Sequence, residues 1–129
     1  MEAKLDQLPI FQNIPAPLVA RVLKYATTKE YRPGDLIIRE GDPGQEFFVV
    51  LSGHADLTLP GGEETAPLGP GSAFGEIALI ERVKRTASVR ARDAVKVVVL
   101  EKKFFDLLFL PGSEERRTLT QNIRTLKRL

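Results

Sequence analysis

The sequence predicts a mainly β fold, an antiparallel sandwich or jelly roll with a helix before it and two helices after it. Three observations carry that prediction. From Thr28 onward the apolar residues recur with a period near two, in short runs rich in Ile, Val, Phe, Leu and Thr. Turn-forming groups cut those runs at Pro33-Gly34-Asp35, Gly41-Asp42-Pro43-Gly44, Ser52-Gly53, Pro60-Gly61-Gly62 and Gly69-Pro70-Gly71. On both flanks the apolar spacing lengthens to that of a one-sided helix.

The elements follow in order. Residues 17–26 place Leu18, Val19, Val22 and Leu23 on one helical face, with Pro17 suited to a first helical position. Asp56-Leu57-Thr58-Leu59 before Pro60-Gly61-Gly62 reads as a hairpin arm, and residues 63–68 as its return. Residues 86–91 and 94–100 read as two further strands joined at Arg92-Asp93. Residues 102–110 are apolar at Phe104, Phe105, Leu108 and Phe109, a helix that Pro111-Gly112 stops. Ser113 then N-caps a last helix whose early Glu114 and Glu115 suit the helix dipole. Its Leu119, Ile123 and Leu126 form a narrow apolar stripe beyond a hinge at Pro111-Gly112.

Composition narrows the function. The 129 residues are one domain's worth, with 43% apolar residues, 28% charged residues and a net charge of +2. Such a small charge does not call for a polyanion partner. With no cysteine there are no disulfides and no thiolate chemistry. A jelly roll can also carry a metal enzyme, but that needs several converging imidazole or carboxylate ligands. His54 is the sole histidine and reads as an exposed turn residue, so neither an enzyme nor a resident cofactor or metal is expected. The longest apolar run, residues 94–100, is interrupted by Lys96 and is too short to span a bilayer. The first residues lack a signal-peptide pattern, and a cytoplasmic location is the expectation. Arg124, Lys127 and Arg128 sit near a helix C-terminus, where the dipole favours cations, and no helix-turn-helix follows. Neither nucleic acid nor membrane is an expected partner of this chain by itself.

The passage built for a ligand is residues 74–89, FGEIALIERVKRTASV. Glu76 is an acceptor-only carboxylate, suited to sugar hydroxyls. Arg85 offers a planar fork of donors that matches a phosphate bidentately. Between them Ile77, Ala78, Leu79 and Ile80 read as one helical turn with backbone N–H groups to face an anion. This segment resembles the phosphate-binding cassette of the cyclic nucleotide-binding domain family, which runs F-G-E-[LI]-A-L-L, a short variable stretch, then R-x-A-[ST]-V. Phe74, Gly75, Glu76, Ile77, Ala78, Leu79, Arg85, Ala87, Ser88 and Val89 all fit. Upstream, Leu8-Pro9-Ile10-Phe11, Arg39-Glu40-Gly41-Asp42 and residues 47–53 resemble the family's opening motif, its second-strand turn and its glycine-ended strand.

The resemblance implies a jelly roll and a single domain over residues 1–129. Helix and β-roll would occupy residues 8–100, with the cassette at 74–89, and the C-terminal helices would follow over 101–129. It implies reversible binding of cAMP or cGMP, with Glu76 on the ribose 2′-hydroxyl and Arg85 on the cyclic phosphate. The N–H groups of Gly75, Ile77, Ala78 and Ala87 would complete the anion site, and Gly75 would let the backbone approach the sugar. Thr86 follows the Arg where cGMP-responsive members often carry Thr, although cAMP-binding members also tolerate Ser or Thr. Lys84 departs from the Pro common before the Arg. Leu119, Ile123 and Leu126 are the expected lid, moving with the C-terminal helices to signal to a protein effector or to self-association. The alternative is a jelly roll with a degenerate pocket, serving as a protein-interaction module.

Overall fold

The computed structural model describes residues 5–81 and 84–126. Two 3-10 turns, Leu5–Gln7 and Pro9–Phe11, lead into helix α1, Ala16–Leu23. Seven strands follow: β1 Thr27–Tyr31, β2 Leu36–Ile38, β3 Glu46–Ser52, β4 Ala55–Thr58, β5 Ala73–Phe74, β6 Ser88–Ala91 and β7 Val95–Glu101. A 3-10 turn, Glu76–Leu79, lies between β5 and β6, and helices α2, Lys102–Leu108, and α3, Glu114–Leu126, close the described chain. The strands form a four-stranded sheet, β1-β7-β3-β5, and a three-stranded sheet, β2-β6-β4, all pairings antiparallel.

Strands β3 and β7 read as continuous apolar runs because they are buried on both faces. Successive side chains point to opposite faces. Phe47, Val49, Leu51, Val98 and Leu100 therefore join the helices in one core, with Leu8, Ile10, Phe11, Phe105 and Phe109. Phe48, Val50, Val97 and Val99 face the other sheet and meet Ile38, Val89 and Ala91. The jelly-roll expectation holds, with one core between the sheets and another under the helices.

Several boundaries differ from the sequence reading. Helix α1 begins one residue early, which puts Pro17 second instead of first. The hairpin return at residues 63–68 makes only isolated bridges, Thr58 with Glu64 and Ala55 with Leu68. Helix α2 ends at Leu108. Strand β6 starts at Ser88, because Thr86 and Ala87 belong to the bend that closes the cassette. Ser113 does cap α3, its Oγ accepting the Arg116 N–H at 3.1 Å. His54 is an exposed turn residue, but its backbone N–H and Nδ1 meet both oxygens of Asp93, tying the β3–β4 turn to the β6–β7 turn. Among the described residues no helix is long and apolar enough to cross a membrane. Arg82, Lys127 and Arg128 lie outside the described residues.

Candidate functional site

Glycine opens the cassette because of its backbone. Gly75 has φ +83°, a left-handed conformation that turns β5 sharply into the 3-10 turn Glu76–Leu79. That turn buries Glu76 to 7% exposure, and Glu76 is the one buried charged residue among the described residues. Ala78 and Leu79 are buried with it, which anchors the turn on the core.

Arg85 is held at backbone and side chain. Its N–H donates to the Asp42 carbonyl at 2.7 Å, and its carbonyl accepts the Gly41 N–H at 2.8 Å. This two-bond clasp ties the Gly41-Asp42 turn to the cassette. Ser88 adds to it, its Oγ accepting the Glu40 N–H at 2.9 Å. At the other end, Arg85 Nη2 donates to the Glu46 carbonyl at 2.8 Å, with a longer 3.5 Å contact from Nη1 to the Gly75 carbonyl. The guanidinium also lies 5.9 Å from the centre of the Phe48 ring, itself stacked on Phe74. Burial pushes the Arg85 pKa below its ordinary value, while the Glu46 and Glu76 carboxylates pull it the other way. Arginine's ordinary value is high enough that the group stays a cation.

A cleft of about 220 Å³ opens over these groups, lined by Gly75, Ile77, Ala78, Arg85, Thr86 and Ala87. Six of the expected binding residues thus come together at one opening. Glu76 lies within the same turn but is buried and does not line the cleft. The Ala78 N–H, expected to face an anion, donates instead to the Gly75 carbonyl at 3.2 Å and closes the 3-10 turn. Thr86 is exposed at the rim, in a bend and not in a strand. The remaining walls are Ile38, Leu57, Phe74 and Lys84. Ile38 and Leu57 escaped the sequence reading as site residues. They flank Val89 on neighbouring strands, and only strand pairing puts them side by side. A wider recess of about 460 Å³ adjoins the cleft at Lys84, but its lining lacks Arg85 and the cassette turn.

The expected lid residues are elsewhere. Leu119 and Ile123 are fully buried in the helical core with Leu8, Phe11 and Leu79, and do not line the cleft. Helix α3 finds its cover on the N-terminal segment, where Asn122 Nδ2 donates to the carbonyls of Ile10 and Gln12 at 2.9 and 2.7 Å. The Leu126 side chain is not among those described. An ion pair from Arg124 to Glu81, at 3.6 Å, links α3 to the end of the cassette turn.

The family model for the cyclic nucleotide-binding domain matches residues 28–110, well over half of the chain and including every cassette residue. The chain belongs to the cyclic nucleotide-binding domain family. A cAMP-dependent protein kinase regulatory subunit from Colletotrichum orbiculare is 37% identical over 123 residues, 94% of this chain and 32% of the relative. The chain therefore spans about a third of the length of that curated relative. Among solved structures, the regulatory domain of Toxoplasma gondii PKA with cAMP superposes with a TM-score of 0.80 at 29% identity, covering 97% of this chain and 48% of that one. The N-terminal domain of a Streptomyces coelicolor transcriptional regulator gives a TM-score of 0.78 at 27% identity, covering 96% and 90%. This cyclic nucleotide-binding domain thus has the jelly roll of its relatives, and the ones named are regulatory proteins.

Proposed function

We propose that this domain is a reversible cyclic nucleotide sensor that takes cAMP, cGMP or both, and that it is not itself an enzyme. The observation that carries the reading is the convergence of the Arg85 guanidinium with Gly75, Ile77, Ala78 and Ala87 of the cassette at one cleft. A cyclic phosphate would sit at Arg85, taking the guanidinium donors not engaged by Glu46. The ribose would lie over Gly75, and its 2′-hydroxyl would donate to Glu76 once the turn Glu76–Leu79 shifts to bring that buried carboxylate to the cleft. The base would extend along Ile38 and Leu57, which offer apolar contact. Binding would change the packing of α2 and α3, and those helices would pass the signal to a protein effector or to a second copy of the chain. With Leu119 and Ile123 in the core, the C-terminal helices would act by shifting their packing on the cassette turn and not as a lid over the base. A cytoplasmic setting fits a ligand of that kind.

The test is calorimetric titration with cAMP, cGMP and 5′-AMP in parallel. The expected result is saturable binding of one or both cyclic nucleotides and weaker binding of 5′-AMP, whose open phosphate has a different shape and charge. Failure of both cyclic nucleotides to bind would favour the interaction-module alternative.

A further inference from the structure

We propose that Gly44 is a positioning residue for the anion site, acting through Arg85 by leaving room for its guanidinium. The proposal builds on the nucleotide-binding reading above. An ideal Cβ placed on Gly44 would stand 2.8 Å from both Cζ and Nε of Arg85 and 2.9 Å from Nη1. Carbon atoms in proteins do not pack that close to non-bonded neighbours. Conformation does not explain the glycine, because Gly44 is not among the residues of positive φ. Gly61 is the opposite case, with φ +94° and nothing within 4 Å of an added Cβ. Glycine at 44 leaves the guanidinium its space, and glycine at 61 suits the backbone shape.

The guanidinium lies in a slot. Gly44 forms one wall. Gly75 forms another, since a Cβ there would stand 2.8 Å from Arg85 Nη1. The Phe48 ring lies 5.9 Å from the guanidinium carbon, and the Glu46 carbonyl binds Nη2 at the end of the slot. The three atoms nearest a methyl at position 44 all belong to the far end of one long side chain. The guanidinium is therefore what moves, while the turn around Pro43 and Gly44 keeps its shape. The fold survives and the anion site is displaced. Sequence alone assigns Gly44 to a turn, and its contact with Arg85, forty-one positions away by numbering, exists only in the folded chain.

The test uses the full chain with Gly44→Ala, Arg85→Ala, their combination, and Gly61→Ala as a control for backbone strain. The Arg85 Nε–H NMR signal is assigned by its loss in Arg85→Lys and recorded without nucleotide, and cAMP affinity is measured by calorimetry. Gly44→Ala is expected to shift the Arg85 signal and to weaken cAMP by between about tenfold and a hundredfold, the range for a misplaced charge-assisted hydrogen bond. In the Arg85→Ala background it should cause no further loss, because the two act as one unit. Gly61→Ala should lower the thermal midpoint and leave the Arg85 signal in place. An unmoved Arg85 signal in Gly44→Ala overturns the proposal, as does an equal affinity loss with and without Arg85. If the unsubstituted chain takes no cAMP, the nucleotide reading fails by itself, and the Arg85 signal still decides the slot.

Discussion

At the scale of single residues, Arg85 is engaged by the Glu46 carbonyl, the Phe48 ring and its backbone clasp. The backbone bonds survive truncation of the side chain, so Arg85→Ala should keep the fold. It should weaken cyclic nucleotide by about 1.5–3 kcal/mol, the range for hydrogen bonds to a charged group. Calorimetry on the folded variant checks this, and an unchanged affinity would remove Arg85 from the site. Thr86 is exposed at the cleft rim, so its hydroxyl is available to a base and is not needed by a strand. If it bonds the amino group of guanine, Thr86→Ala should weaken cGMP by about 1 kcal/mol and leave cAMP nearly unchanged. Equal losses for both nucleotides would instead place Thr86 on the phosphate.

At the scale of elements, α3 is bound into the core by Leu119 and Ile123 and into the N-terminal segment by Asn122. Leu119→Ala should destabilise the domain by about 2–5 kcal/mol, the range for emptying a buried leucine site. A denaturant midpoint that stays put would show that α3 is detached in solution. The corner between α2 and α3 turns on Asp106, which accepts from Lys102 Nζ at 2.8 Å and from Arg116 Nη1 at 2.9 Å. Burial raises the Asp106 pKa, but the bonds from Lys102 and Arg116 outweigh it and hold the carboxyl below its ordinary value. A lowered folded pKa stabilises above the unfolded value, and the contribution is lost as the pH falls through the folded one. The corner should therefore loosen below about pH 4, where a free aspartate is half protonated. Thermal midpoints across an acid series should fall less for Asp106→Asn than for the unsubstituted chain.

At the scale of the whole molecule, the cassette turn is tied both to the helical core and to the last helix. Leu79 shares a core with Leu119 and Ile123, and Glu81 pairs with Arg124. A ligand that draws on the cassette thus acts on a surface that α3 also uses. Hydrogen exchange over residues 118–125 should change when saturating cAMP or cGMP is added, because local opening of that helix depends on its packing. Identical exchange with and without nucleotide would make α3 static packing and move the output to another surface.

The sequence by itself determined the mainly β class, the helices on either side, and the residues of the cassette. Local chemistry does that: period two, glycine and proline corners, and a carboxylate and a guanidinium at a fixed spacing are all short-range features. Tertiary structure alone decided where the stripe of α3 goes, since an apolar face states that it needs cover and not which surface covers it. The same holds for the walls of the cleft. Ile38 and Leu57 become neighbours only when β2 and β4 pair with β6, and Gly44 meets Arg85 only when the turn folds against the cassette. Those contacts join residues distant in the chain, and no local pattern encodes a distance that the fold has yet to set.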